Sequence, residues 1–179
     1  MLFRSIAMSR TALLDTSLSF FVLCAFGALI IDRDRISNKS PRYWRWVMVL
    51  FLGLAISTKW SGLYFAVIFG ALMLYWDLKR RTRDGDIENL SLKDFFPSLL
   101  MPIAMIAIYV SSWVGWFRST IGWGRTWGVE NNTSFLPDSI ASLINYHRDM
   151  WHFHTTLTTP HSYQANPWGW PLKIGRAHV

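Results

Sequence analysis

The chain has 179 residues, 51% of them hydrophobic and 16% aromatic, with eleven Trp, and its mean hydropathy is positive. So many Trp beside so few charges points to contact with lipid and argues against an ordinary soluble domain. The formal charge of +7 falls beside apolar segments instead of forming a face of its own, which favours a role in membrane topology over nucleic acid as a partner.

The opening MLFRSIAMSR runs almost directly into an apolar stretch without the three-part pattern of a signal peptide, and it is read as a start inside a longer protein. The first predicted span is 12–31. It carries one charge, Asp15, close to Arg10, and the single Cys24, which has no partner for a disulfide or a metal pair. The runs 44–56 and 63–76 are short for a hydrocarbon core of about 30 Å, which takes roughly 20 helical residues to cross. They are separated by STKWSG (57–62). One continuous helix would bury Lys59 near its middle at a cost of roughly 2.5–3.5 kcal/mol, so two short helices meeting at a polar apex are predicted. A fourth span, 95–114, contains Pro97 and Pro102, which membrane helices tolerate.

The loops set the direction. Residues 32–45 hold Arg33, Arg35, Lys39, Arg42 and Arg45, and residues 77–94 hold Lys79, Arg80, Arg81, Arg83 and Lys93. An excess of Lys and Arg marks both loops as cytoplasmic. Arg10, Asp15, the Lys59 apex and the tail 115–172 then share the extracytoplasmic side. The tail reads as irregular and aromatic as far as Asp138. From there Ile140, Leu143, Ile144, His147, Trp151 and His154 follow one helical face, so an amphipathic interfacial helix is predicted over 138–155, with Asp138 as its N-cap. HSYQANPWGWPL (161–172) reads as a loop entering a further span. The last seven residues, KIGRAHV (173–179), match the translation of a sequencing adapter and are set apart from the domain 1–172.

Three groups carry candidate chemistry. The planar fork of Arg10 suits a lipid-linked phosphate, with Asp15 orienting Arg10 or a sugar hydroxyl; a snorkelling arginine and a helix-capping aspartate are the plain alternative. Lys59 adds positive charge for the same headgroup, or is an interfacial residue of a turn. His147, His152, His154 and His161 lack the spacing of a metal site and suit hydrogen bonding to a sugar or phosphate. No cofactor or nucleotide motif is evident, and the sequence does not fix any dependence on a divalent metal.

With MSRTALLD (8–15), TSLSFFVLCAFGALIIDRDR, GLAISTKWSGLYF (53–65), YWDLKRR (75–81) and HSYQANPWGWPL in this order, the chain resembles the protein O-mannosyltransferases, especially the actinobacterial type, over residues 8–172. The resemblance implies an all-α, multi-spanning integral membrane glycosyltransferase of the GT-C fold in the bacterial plasma membrane. It implies transfer of mannose, with inversion, from a polyprenyl-phosphate-linked donor to Ser or Thr hydroxyls of exported polypeptides. Membrane lipid and the protein translocation machinery are the further partners. The family's acidic pair, thought to supply the catalytic base, lies ahead of MSRTALLD, so no residue here is assigned as the base and the chain alone is expected to be inactive. Residues 115–137 leave no room for the β-trefoil domain of eukaryotic relatives. Arg10, Asp15 and Lys59 are then candidates for the donor phosphate and sugar, and His147, His161, Tyr163 and Trp168 for a groove holding acceptor or lipid. Another lipid-phosphate-dependent GT-C transferase is the alternative within the same chemistry, and a transporter the alternative outside it.

Overall fold

The computed structural model describes residues 14–35, 42–84, 92–131 and 135–157. Every regular element among them is helical: α1 (Leu14–Asp34), α2 (Tyr43–Thr58), α3 (Gly62–Asp84), α4 (Leu92–Ser112), α5 (Val114–Arg118), α6 (Trp127–Glu130) and α7 (Asp138–Thr156). The chain divides into two compact units, residues 1–115 and 116–179.

In the first unit, α2 is the central helix and packs on α1, α3 and α4, while α1 also touches α3. One stripe of α1 is buried, formed by Leu18, Ala25, Ala28, Leu29 and Asp32, a helical repeat that sets small side chains against α2. Met48, Val49 and Leu52 of α2, Ala66, Phe69 and Met73 of α3 and Met101 of α4 complete the core. Gly53 lets α4 come close: a Cβ there would stand 2.8 Å from the side chain of Ile108.

The outward faces are as apolar as the inner ones. Phe20 and Leu23 on α1, Tyr64 and Val67 on α3, and Leu99 and Ile103 on α4 are all more than half exposed. A water-facing surface would be polar at those positions, and so large an apolar exterior is what lipid selects. By length and composition, α1 and the Gly62–Arg83 stretch of α3 can cross a membrane; α2 and the Ser98–Ser112 part of α4 are shorter apolar helices.

One cluster of charge lies inside. Asp32 and Arg45 are buried, and Arg45 Nε donates to Asp32 Oδ2 at 3.0 Å. Arg42 reaches the same carboxylate at 3.1 Å and Asp77 Oδ1 at 3.0 Å, and Arg45 also bonds Asp77. Two acids and two arginines thus tie α1, the start of α2 and α3 together at one end. This corrects the sequence reading in two ways. Arg42 and Arg45 belong to an internal ion cluster and not to a free basic loop, and α3 runs through YWDLKRR to Asp84 instead of ending at 76. Lys and Arg are good helix formers and are favoured in a last turn, so the basic run extends α3.

The second unit has an aromatic centre. Tyr146 of α7 meets Trp116 and Trp123 edge to face at 6.0 and 5.3 Å, and Trp116 Nε1 donates to the Trp123 carbonyl at 3.1 Å. Arg125 lies over the Trp116 ring at 5.3 Å and donates to the Phe117 carbonyl. α6 docks on α7 through Gly128, whose N–H donates to Ser142 Oγ at 2.8 Å and which abuts the Asp138 carbonyl so closely that no Cβ would fit. The stretch before Asp138 is therefore partly helical, not wholly irregular.

One further expectation changes here. Pro137, not Asp138, occupies the N-cap position, without a side-chain cap bond; Asp138 lies in the first turn, where its charge complements the dipole. The face of α7 buried within its unit is centred on Ala141 and Ser142, whereas Ile140, Ile144 and Trp151 of the predicted apolar face are exposed at 43%, 54% and 63%. The small residues are inside because α6 approaches through a glycine, and the large ones are left outward.

Candidate functional site

The site is assembled at the start of α1 and the turn between α2 and α3. α2 ends where Ser57 and Thr58 turn their hydroxyls back onto the carbonyls of Gly53 and Leu54, at 2.8 and 2.9 Å, offering the backbone an alternative to further helix. Lys59 is extended, with φ −157° and ψ 135°. Its N–H still closes on the Ala55 carbonyl at 3.0 Å, and its carbonyl accepts the Gly62 N–H at 2.9 Å. Gly62 is required by the return path, since a Cβ there would lie 2.7 Å from the Ala55 carbonyl carbon. Trp60 Nε1 donates to Tyr109 Oη at 3.1 Å, which anchors the turn to α4. The predicted polar apex between two helices is thus a tight, tethered turn.

That turn presents Lys59 to Asp15. Lys59 Nζ stands 2.7 Å from Asp15 Oδ1, with the side chains 48% and 64% exposed. Asp15 lies in the first turn of α1, where the positive end of the helix dipole favours its charge, and its carbonyl accepts the Ser19 hydroxyl at 2.7 Å. An exposed ion pair adds only about 0–1 kcal/mol to stability, so the fold does not depend on it. The ammonium has three donors and spends one on Asp15, leaving it able to hold an anion beside the carboxylate. The carboxylate can accept from a hydroxyl. Charge for a phosphate and an acceptor for a sugar therefore stand side by side.

The structure brings together Asp15 and Lys59 of the sequence-predicted site residues. Arg10, His161, Tyr163 and Trp168 lie outside the described residues, as do HSYQANPWGWPL and KIGRAHV. His147 belongs to the second unit; its Nδ1 donates to the Leu143 carbonyl at 2.7 Å and its ring meets Tyr146 at 6.4 Å, a bond that puts the proton on Nδ1.

Sequence reasoning missed the ion cluster at the far end of α1. Asp32 lies in the last turn, about 25 Å from Asp15 at 1.5 Å per residue. A signal was present: an aspartate at a helix C-terminus is opposed by the dipole, so Asp32 closing an apolar helix calls for a cation. The Trp60–Tyr109 tether had no such signal, being a contact between distant parts of the sequence.

Comparison with known proteins places the chain in a family. The family model for dolichyl-phosphate-mannose-protein mannosyltransferase matches residues 1–117. The chain is similar to the polyprenol-phosphate-mannose–protein mannosyltransferase of Mycobacterium tuberculosis, with 34% identity over 95% of this chain and 38% of that protein. Proteins of the same name in Mycolicibacterium smegmatis and Corynebacterium glutamicum are 31% and 34% identical over 95% and 94% of this chain and 39% and 38% of theirs. The chain thus spans about two fifths of the length of these curated relatives. No solved structure matches it.

Proposed function

Because the chain belongs to the dolichyl-phosphate-mannose-protein mannosyltransferase family, we propose that it forms the donor-phosphate part of a membrane mannosyltransferase. The enzyme takes mannose from a polyprenyl-phosphate-linked donor and passes it, with inversion, to Ser or Thr hydroxyls of exported polypeptides. The observation that carries this reading is the 2.7 Å Lys59–Asp15 pair, an exposed cation and acceptor held at the end of apolar helices.

The proposed architecture is a multi-pass bundle in the bacterial plasma membrane, with α1 to α4 in the bilayer and α7 lying along its outer surface. Basic residues clustered after α1 and at the end of α3 support cytoplasmic placement of those ends. Asp15 and Lys59 then face the opposite side, where a lipid-linked donor needs no nucleotide. The outward Ile140, Ile144 and Trp151 suit α7 to the interface. Translocating polypeptide passes on the same side, which fits the translocation machinery as a partner.

The chemistry divides between two tasks. As the glycosidic bond to phosphate breaks, negative charge grows on the departing phosphate, and Lys59, with Arg10, stabilises it. Asp15 holds Lys59 in place and accepts a hydroxyl of the sugar. The attacking hydroxyl needs a base; the resemblance puts it upstream of residue 8, in the family's acidic pair. His147, with the loop residues His161, Tyr163 and Trp168, is proposed for the acceptor and lipid groove.

The test is a chimaera in which residues 1–172 replace the matching part of the Corynebacterium glutamicum relative, so that its upstream and downstream segments are both present. Membranes carrying the chimaera should transfer labelled mannose from polyprenyl-phosphate mannose to a Ser/Thr peptide, and membranes carrying the chain alone should not. Absence of transfer in an inserted chimaera, or equal transfer without the upstream segment, would overturn the reading.

A further inference from the structure

At the opposite end of the first unit, α1 and α3 enclose a groove of about 730 Å³. Arg33, Lys79, Arg80 and Arg83 line it, with the rings of Tyr75 and Trp76 as its apolar wall. On α3 these residues recur at 75/76, 79/80 and 83, one helical face, and Arg33 comes from the last turn of α1.

Two of these cations, Lys79 and Arg80, have no carboxylate partner among the described residues. Arg33 lies over the Trp76 ring at 5.1 Å and pairs with the exposed Asp34 at 2.8 Å, while Lys79 lies over Tyr75 at 5.9 Å. Arg80 Nε is buried without a hydrogen-bond partner. Asp77, two residues before Lys79 on α3, is taken up by Arg42 and Arg45. The dipole at the end of α3 works against an anion, so the side chains, not the backbone, supply the attraction.

We propose that this groove holds the phosphate of an anionic phospholipid. The occupant follows from position and from both halves of the lining. Cations cluster where two membrane-length apolar helices end, which is headgroup depth, and the aromatic wall offers the acyl side of a lipid a surface that free phosphate cannot use. The orientation proposed above makes this the cytoplasmic leaflet; the binding itself does not rest on that orientation.

The purified chain in mild detergent is mixed with phosphatidylglycerol or phosphatidylcholine, and retained lipid is read by native mass spectrometry. Phosphatidylglycerol should be retained at least about tenfold more tightly than phosphatidylcholine, and the Lys79→Gln/Arg80→Gln double variant should lose roughly tenfold or more of that affinity. Arg35→Gln, which removes a nearby cation outside the groove, should keep it, as should the charge-preserving Lys79→Arg. Equal retention of the two lipids by the unaltered chain would overturn the proposal without any variant. So would an unchanged affinity in a double variant of normal helicity, an equal loss in Arg35→Gln, or displacement of phosphatidylglycerol by millimolar inorganic phosphate. Lipid retention in micelles requires neither mannosyl transfer nor sidedness, so its failure would leave the proposed function standing.

Discussion

Lys59 is the residue where stability and function should separate. Its ion pair with Asp15 is exposed, so Lys59→Ala should change unfolding free energy by less than about 1 kcal/mol. A charge-assisted bond to a phosphate contributes about 1.5–3 kcal/mol, so the same substitution in the active chimaera should cut catalytic efficiency by roughly 10- to 100-fold. Arg10→Ala should match it and Arg10→Lys should fall between, since lysine keeps the charge but loses the planar fork. Assays against donor concentration, normalised to inserted protein, check this. Equal efficiency in Lys59→Ala and the parent would return Lys59 to the role of an interfacial turn residue. Asp15→Asn is informative beside it: if Asp15 only positions the ammonium, donor affinity should fall less than in Lys59→Ala.

The elements meet at two kinds of junction, close backbone approach and buried charge. Gly62 is the first kind. Gly62→Ala sets a methyl against the backbone of Ala55, so the start of α3 must shift and carry Lys59 with it. The expected result is a loss of about 1–3 kcal/mol of stability together with lower donor affinity, read by denaturant titration of helicity and by donor binding. A neutral outcome in both would mean that the turn gives way freely. Arg45 is the second kind. Arg45→Met leaves Asp32 buried with only Arg42 beside it, at an expected cost of about 3–5 kcal/mol. Adding Asp32→Leu to Arg45→Met should recover part of that loss, because the stranded charge is removed along with its partner.

For the whole molecule, the apolar exterior of the first unit and its one internal ion cluster point to lipid as the solvent before they fix the direction. Direction rests on the excess of Lys and Arg at the ends proposed to be cytoplasmic. In a Cys24→Ala background, a cysteine at Ser134 should react with an impermeant reagent in intact cells and a cysteine at Ser37 should not. The reverse pattern would invert the topology, moving Asp15 and Lys59 to the cytoplasmic side and the basic groove to the outer leaflet.

Composition and hydropathy were enough to show an all-helical chain adapted to lipid, because apolar runs interrupted by charge reflect the cost of hydrocarbon contact residue by residue. The same cost predicted a turn at Lys59. The order of short motifs carried the family. Sequence could not show which partner each charge would take. Asp32, Arg42, Arg45 and Asp77 are spread over 46 positions and read as loop and helix-end charges until three helices converge on them. On α7, periodicity identifies the apolar face, but which residues are buried against α6 was decided by Gly128, which sets the face a neighbour can reach. The pairing of Asp15 with Lys59, 44 residues apart, was settled by the packing of α1 on α2, for an ion pair is defined by distance in space and the chain encodes only distance along itself.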